Sequence, residues 1–376
     1  PATDGVPLAA GERTLGDVLK AAGYATGCFG KWGLGDADTA GVPWRRGFDE
    51  FFGYLHQKHA HFYYPEYLWD NGRKFPLPGN ANGRRGQYTH DVIMERAERF
   101  IRANRDRPFF CYLPFTLPHH EFIVPESSLD EYRGRFEEKP LAHWRDGYAN
   151  PREPKATLAA MIGHLDRSVG RIAALLDELG LGENTLLVFT SDNGGDDGAL
   201  TSADFFRSNG DLRGFKQQLY EGGIRVPLIA RWPGRIAAGT TSDLPCYFAD
   251  ILPTLADLAG APDRVPADTD GLSIAPTLRG APAGQARHEF LYWEKLEESG
   301  ALAQAIRQGD WKAVAVTRGA HRRVELYDLA RDPREERDVA DQNRALVADL
   351  QRRLAAARTE PPPQIEPARP AGLDYR

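Results

Sequence analysis

The 376-residue chain has only three cysteines, Cys28, Cys111 and Cys246, far apart and in apolar surroundings (GCFG, FCYL, PCYF). They cannot build a disulfide framework or a CxxC zinc site, and buried thiols are expected. The sequence also lacks any run of about 18 apolar residues, so no membrane-spanning helix is expected. The opening PATDGVPLAAGERT has neither the charged start nor the apolar centre of a signal peptide. Positive charge is not in excess: 47 Lys and Arg against 53 Asp and Glu give a net charge of −6. No global field therefore draws nucleic acid or an anionic membrane surface, and any anion site must be local. The basic runs RGAHRR and QRRLAAAR read as a solvated turn and helix face. Hydrophobic residues make up 41% of the chain, enough at this length for a large core.

Periodicity gives the organisation. Thr14 followed by Asp17 is a capping-box-like start, Leu15, Val18, Leu19 and Ala22 have helical spacing, and Gly23 can end the helix. The strand YATGCF comes next, then an aromatic, His-rich stretch from RRGFDEFF to DNGRKF that reads as a long loop with short strands. DVIMERAERFIRAN predicts an amphipathic helix with Val92, Ile93, Ala97, Phe100 and Ile101 on one side. It leads into PFFCYLPFT, an apolar run expected to be a strand covered on both faces. Leu158, Met161, Ile162, Leu165, Val169, Ile172, Leu176 and Leu179 predict one long helix, followed by strands TLLVFT and VPLIARW and the short helix ADILPTLADLAG. The fold expected is α/β, a mostly parallel central sheet flanked by helices. From about His288 the pattern becomes alternating half-buried strands plus a helix carrying Leu346, Leu350 and Leu354, a small antiparallel sheet with a helix on it. The expected division is 1–285 for the α/β domain, 286–360 for the α+β subdomain and 361–376 for a proline-rich tail.

In a parallel sheet, ligands bind beyond the carboxyl ends of the strands. Lys31 follows YATGCF there, Leu117-Pro118-His119-His120 follows PFFCYLPFT, and Ser191-Asp192-Asn193-Gly194 follows TLLVFT; Lys216 precedes VPLIARW in DLRGFKQQLYEGG. An Asp carboxylate beside an Asn amide oxygen offers hard ligands suited to calcium or magnesium. A divalent cation and two ammonium groups neutralise a tetrahedral oxyanion ester, and a histidine protonates its leaving oxygen. The set reads as hydrolysis of a sulfate or phosphate ester. Taken singly, each has a plainer explanation: Asp-Asn-Gly as a turn, Lys216 as a loop lysine, His119 as a packed histidine. His56, His59 and His61 have metal-like spacing, but no neighbouring carboxylate or cysteine completes a site, so structural or substrate-facing roles are expected.

GYATGCFGKWGLG resembles the second signature of the type I sulfatases, the arylsulfatase family of the alkaline phosphatase superfamily. FTLPHH with VPES, then TSDNGG, then LRGFKQQLYEGGIRVPLIARWPG resemble further blocks in the family's order. The similarity runs from about residue 7 to GDWKAV. It implies that Lys31 and Lys216 contact sulfate oxygens, that His119 is the leaving-group acid, and that Asp192 and Asn193 bind one calcium ion. His61 is a further expected substrate contact. A sulfated small molecule or glycan is the implied partner, without nucleic acid or membrane, and a periplasmic or extracellular location is implied by resemblance alone.

Two departures stand out. Gly33 occupies the position after Lys-Trp where the family commonly has histidine. No cysteine or serine lies in C/S-x-P-x-R, the source of the family's formylglycine nucleophile. The expectation is that an upstream segment carries it, that this chain alone has little or no activity, and that an uncovered sheet edge lowers solubility. The alternatives are a phosphate or phosphonate ester hydrolase of the same superfamily, and a noncatalytic protein that stacks HAHFYYPEYLW on sugars.

Overall fold

The computed structural model describes residues 7–9, 11–140, 148–198 and 205–359; the proline-rich stretch 361–376 lies outside the described residues. The chain forms two compact units that do not follow sequence order. One takes described residues from 2–187 and 232–285, the other from 188–231 and 286–364. Among the described residues no helix is long and apolar enough to cross a membrane.

The first unit is built on a five-stranded sheet of β1 (Ala25–Lys31), β2 (Glu50–Tyr54), β3 (Tyr67–Asp70), β4 (Arg73–Pro76) and β5 (Phe109–Tyr112), in the order β4-β3-β2-β1-β5. β1 runs parallel to β2 and to β5. The sheet is mixed where the sequence predicted a mostly parallel one, because β3 and β4 join it as an antiparallel hairpin. Asn71-Gly72 closes that hairpin, Asn71 with a φ of 50°, the left-handed conformation that two-residue hairpin turns require.

Side chains alternate across β1 and β2 as a pleated strand demands. Ala25, Phe29, Phe52 and Tyr54 face a core shared with the helices Thr89–Ala103 and Pro154–Glu178 through Ile93, Met94, Phe100, Ile172 and Leu176. Cys28 and Phe51 face a second cluster with Trp32, Phe48 and Leu55. Burying a side chain such as Phe100 contributes about 1.5–3 kcal/mol. The helix Leu15–Ala21 starts at the predicted capping box, with Thr14 and Asp17 exchanging side-chain and backbone hydrogen bonds. Two apolar predictions fail. Ile162 is 44% exposed, and Tyr112 is 43% exposed on β5, which among the described residues is an edge strand.

The second unit holds β6 (Leu187–Thr190) paired with β7 (Leu228–Arg231), and a four-stranded antiparallel sheet of β8 (Leu291–Leu296), β9 (Leu302–Gln308), β10 (Trp311–Arg318) and β11 (His321–Asp328). The helix Arg344–Ala357 lays Leu350 and Leu354 against Ile306, Ala313, Ala315 and Leu326, as the sequence predicted. Lys312 lies on the sheet's other face. It is fully buried, with its ammonium 2.9 Å from Glu221 Oε1 and 2.8 Å from Glu335 Oε1. Glu335 also accepts from the Glu221 backbone N–H at 2.7 Å. Arg213 donates to Tyr327 Oη and to the Glu335 carbonyl, and its guanidinium lies 3.9 Å over the Tyr220 ring. These contacts fasten both ends of the loop that carries Lys216.

Two predictions follow from buried polar groups. Removing the ammonium in Lys312→Met leaves two carboxylates without their buried cation and is expected to cost about 3–5 kcal/mol, read from the denaturant midpoint. His59 and His90 are buried rings whose pKa values fall from 6.5 to about 3, first through desolvation and then through neighbouring positive charge. The unfolded chain binds protons below 6.5 that the folded rings refuse. Stability is therefore complete above that pH and falls by about 1.4 kcal/mol per pH unit for each ring as pH drops toward 3. His90→Gln should flatten the stability profile between pH 6 and 4 by the slope of one proton; an unchanged slope refutes the assignment.

Candidate active site

Parallel strands release the chain at the same edge of the sheet, so the residues after β1 and β5 share one rim. Lys31 ends β1, half-buried, and its backbone N–H donates to the Pro114 carbonyl at 2.8 Å. The preceding residue must be glycine: a Cβ on Gly30 would lie 2.2 Å from the Pro114 oxygen, and its φ is +145°. Gly33 has a φ of +114°, and a Cβ there would fall 2.3 Å from Gln57 Nε2, so histidine at this position would meet both backbone strain and the Gln57 amide.

Beyond β5 the backbone of His119 is held at two points. Its N–H donates to the Thr116 carbonyl at 2.9 Å, and its own carbonyl accepts from the Tyr63 hydroxyl at 2.7 Å. Burial pushes the Tyr63 phenol well above its usual pKa, so it stays a donor. His119 Nδ1 lies 2.7 Å from the His120 carbonyl oxygen. A carbonyl only accepts, so Nδ1 carries the hydrogen and Nε2 is the nitrogen that gains and loses a proton.

His61 comes to the same place from a short helical turn, His59–His61. Its ring stacks on His119 with centroids 4.8 Å apart and planes 28° apart, and its Nδ1 is 2.6 Å from Tyr148 Oη. His120 lies edge-on to His61 at 4.9 Å. The sequence reading thus finds Lys31, His61 and His119 in one unit. It misses His120 and Tyr148. The doubled histidine was a signal for the first; Tyr148 sits in no motif and reaches His61 across 87 residues of chain. His59 is buried between Tyr54 and Tyr67 and serves packing, as expected.

In the other unit, β6 ends in Ser191-Asp192-Asn193-Gly194-Gly195. Gly194 N–H donates to the Gly223 carbonyl at 3.0 Å, Gly195 N–H to Asn209 Oδ1 at 2.7 Å, and Lys216 N–H to the Gly195 carbonyl at 2.9 Å. Backbone bonds therefore stitch the loop bearing Lys216 to the loop bearing Asp192 and Asn193. Asn193 donates its amide N–H to the Gly194 carbonyl at 2.8 Å, which leaves its oxygen as the acceptor. Asp192 is exposed. The pair fits a calcium ion in donor type, supplying hard oxygens, but gives only part of the six to eight that calcium takes. Among the described residues no group of three His, Cys, Asp or Glu ligand atoms includes Asp192.

A sequence profile of the sulfatase family matches residues 1–261, and one described as N-sulphoglucosamine sulphohydrolase, C-terminal, matches 211–360. Arylsulfatase A of Homo sapiens is 32% identical over 375 residues, covering 88% of this chain and 67% of that protein. N-acetylgalactosamine-6-sulfatase of Canis lupus familiaris is 33% identical over 321 residues, covering 80% and 54%. Among solved structures, Ps i-CgsB in complex with k-i-k-neocarrahexaose superimposes with a TM-score of 0.76 at 26% identity, over 94% of this chain and 75% of that one.

The glycine beneath the acidic loop gives a test. A Cβ on Gly194 would fall 1.8 Å from the Gly222 carbonyl oxygen, where only backbone could yield. Gly194→Ala is expected to destabilise the protein by about 1–3 kcal/mol. Lys216→Ala keeps the backbone bond and should stay within about 0.5 kcal/mol of the parent in the same denaturation series.

Proposed function

The chain belongs to the sulfatase family of sulfuric ester hydrolases, and from that premise we propose that its substrate is a sulfate monoester of a carbohydrate, with Lys31, Lys216 and His119 as the working side chains. The observation that carries the reading is the lysine and histidine at the carboxyl ends of neighbouring parallel strands in a chain whose profile match is to sulfatases. Support for a sugar over an aryl group comes from Ps i-CgsB, a 26% identical neighbour solved in complex with k-i-k-neocarrahexaose.

In this reading the ammonium groups of Lys31 and Lys216 neutralise sulfate oxygens and hold the ester in one orientation. Cleavage of the sulfur–oxygen bond puts negative charge on the sugar oxygen, a poor leaving group unless protonated. His119 supplies that proton from Nε2, while its Nδ1–H stays on the His120 carbonyl and fixes the ring. His61, stacked on His119, lines the sugar side. Family membership implies a calcium ion, which Asp192 and Asn193 would hold and which would add positive charge to the site. It also implies a formylglycine nucleophile, and no residue of this sequence is assigned that role because none lies in C/S-x-P-x-R. Export to the periplasm or outside the cell is proposed on the family resemblance.

The test is hydrolysis, in calcium, by the protein as its natural gene encodes it, expressed in a host with formylglycine-generating activity. Sulfated monosaccharides should turn over and the matching phosphate esters should not. His119→Ala should lower kcat about 10²–10⁴-fold on a sugar sulfate and distinctly less on an activated aryl sulfate, whose leaving group needs no proton. Equal losses on both substrates remove His119 from the acid role. Preference for phosphate esters, or glycan binding indifferent to sulfate, removes the sulfatase reading for this chain.

A further inference from the structure

Outside the oxygen-donor pair, the described residues contain one group of three metal-ligating side chains, His61, His119 and His120, whose ligand atoms all lie within 4.8 Å of one another. We propose that this triad binds a zinc-class divalent cation through imidazole nitrogens. The site is chemically separate from Asp192 and Asn193: it has three nitrogen donors and no carboxylate, a set that favours zinc, nickel or copper over calcium.

Three features support binding over mere ring packing. All three rings are half-buried, which leaves the site a route to solvent while limiting competing hydration. Two of the rings have their second nitrogen engaged as metal-binding histidines do, His61 Nδ1 with the Tyr148 hydroxyl at 2.6 Å and His119 Nδ1 with the His120 carbonyl at 2.7 Å. With Nδ1 so engaged, Nε2 is the nitrogen that these two rings would offer an ion, and the partners would set its basicity. The backbone beneath is also pinned, since the Glu121 N–H donates to the His61 carbonyl at 3.1 Å and Tyr63 holds the His119 carbonyl. A tetrahedral ion bonded at about 2.0–2.1 Å sets its nitrogen ligands about 3.4 Å apart, so no separation need close by more than about 1.4 Å, a rotation of rings on fixed backbone. Such an ion occupies His119 Nε2. On the proposed acid role of His119, and only on it, zinc is then an inhibitor of the hydrolase.

The site is tested without relying on turnover. Chelator-stripped protein is titrated with zinc against a chromogenic indicator, and with cobalt for the absorption of nitrogen-ligated ions. One zinc per chain is expected, undisturbed by millimolar calcium; His61→Gln and His120→Gln should each weaken it at least about 10-fold, and Tyr148→Phe about 10-fold through the lost outer contact. Should a variant fail to fold, the parent decides: zinc should protect His61, His119 and His120 from diethyl pyrocarbonate and leave exposed His321 reactive. Affinity unchanged in both histidine variants, or triad rings modified equally with and without zinc, overturns the site. Zinc binding with unimpaired turnover keeps the site and removes the acid role of His119 instead.

Discussion

The rim of the first unit depends on how closely β1 is clasped at its carboxyl end. A Cβ on Gly30 would stand 2.2 Å from the Pro114 oxygen on one side, and a Cβ on Gly53 of β2 would stand 1.9 Å from the Gly30 oxygen on the other. With no side chains there, the backbones approach to hydrogen-bonding distance, Lys31 N–H to Pro114 and Trp32 N–H to Tyr54. The lysine is thus aimed by its neighbours' carbonyls, and the segment leading to His119 is registered against the same strand. A displacement at Gly30 would therefore shift Lys31 and the segment leading to His119 together.

Neutral hydrogen bonds tie together much of the interior behind this rim. The Tyr54 hydroxyl lies within hydrogen-bonding distance of Thr89 Oγ1 and the Phe62 carbonyl, the Tyr63 hydroxyl shares its one hydrogen between the Thr116 and His119 carbonyls, and both phenols are held above their usual pKa by burial. A buried network of this kind orients loops at a small desolvation cost. The second unit solves the corresponding problem with charge. Lys312 between Glu221 and Glu335, with Arg213 beside them, contributes little net stability against an apolar alternative, but each group is costly to lose once the others are buried. The gain is a fixed path for the loop bearing Lys216.

Periodicity made the long helices and the C-terminal sheet legible, because Ile93, Phe100, Ile172, Leu350 and Leu354 bury the faces their spacing predicts. The expectation that Lys31 and His119 follow neighbouring parallel strands holds for the same reason: it depends on local order along the chain. Legibility ended where side chains meet across long separations. Tyr148 reaches His61 from another loop, and the ring cluster with His120 depends on a backbone path that no repeat encodes. Ile162 kept helical spacing yet faces solvent, because spacing marks a stripe and not what covers it. β3 and β4 are short strands of the kind expected in the aromatic stretch, but no period marked their bounds or their antiparallel pairing around Asn71-Gly72.

Gly33 shows how a single departure from the family pattern can be accommodated physically. Histidine is common at this position in the family, but here the φ of +114° disfavours any side chain, and the Gln57 amide lies 2.3 Å from where a Cβ would stand. Gln57 thus occupies, with an uncharged amide, the volume next to the backbone where an imidazole would begin. The same chain places His61 four residues after Gln57 and stacks it on His119. An imidazole is therefore absent from the position two residues after Lys31, while His61 and His120 both stand beside His119.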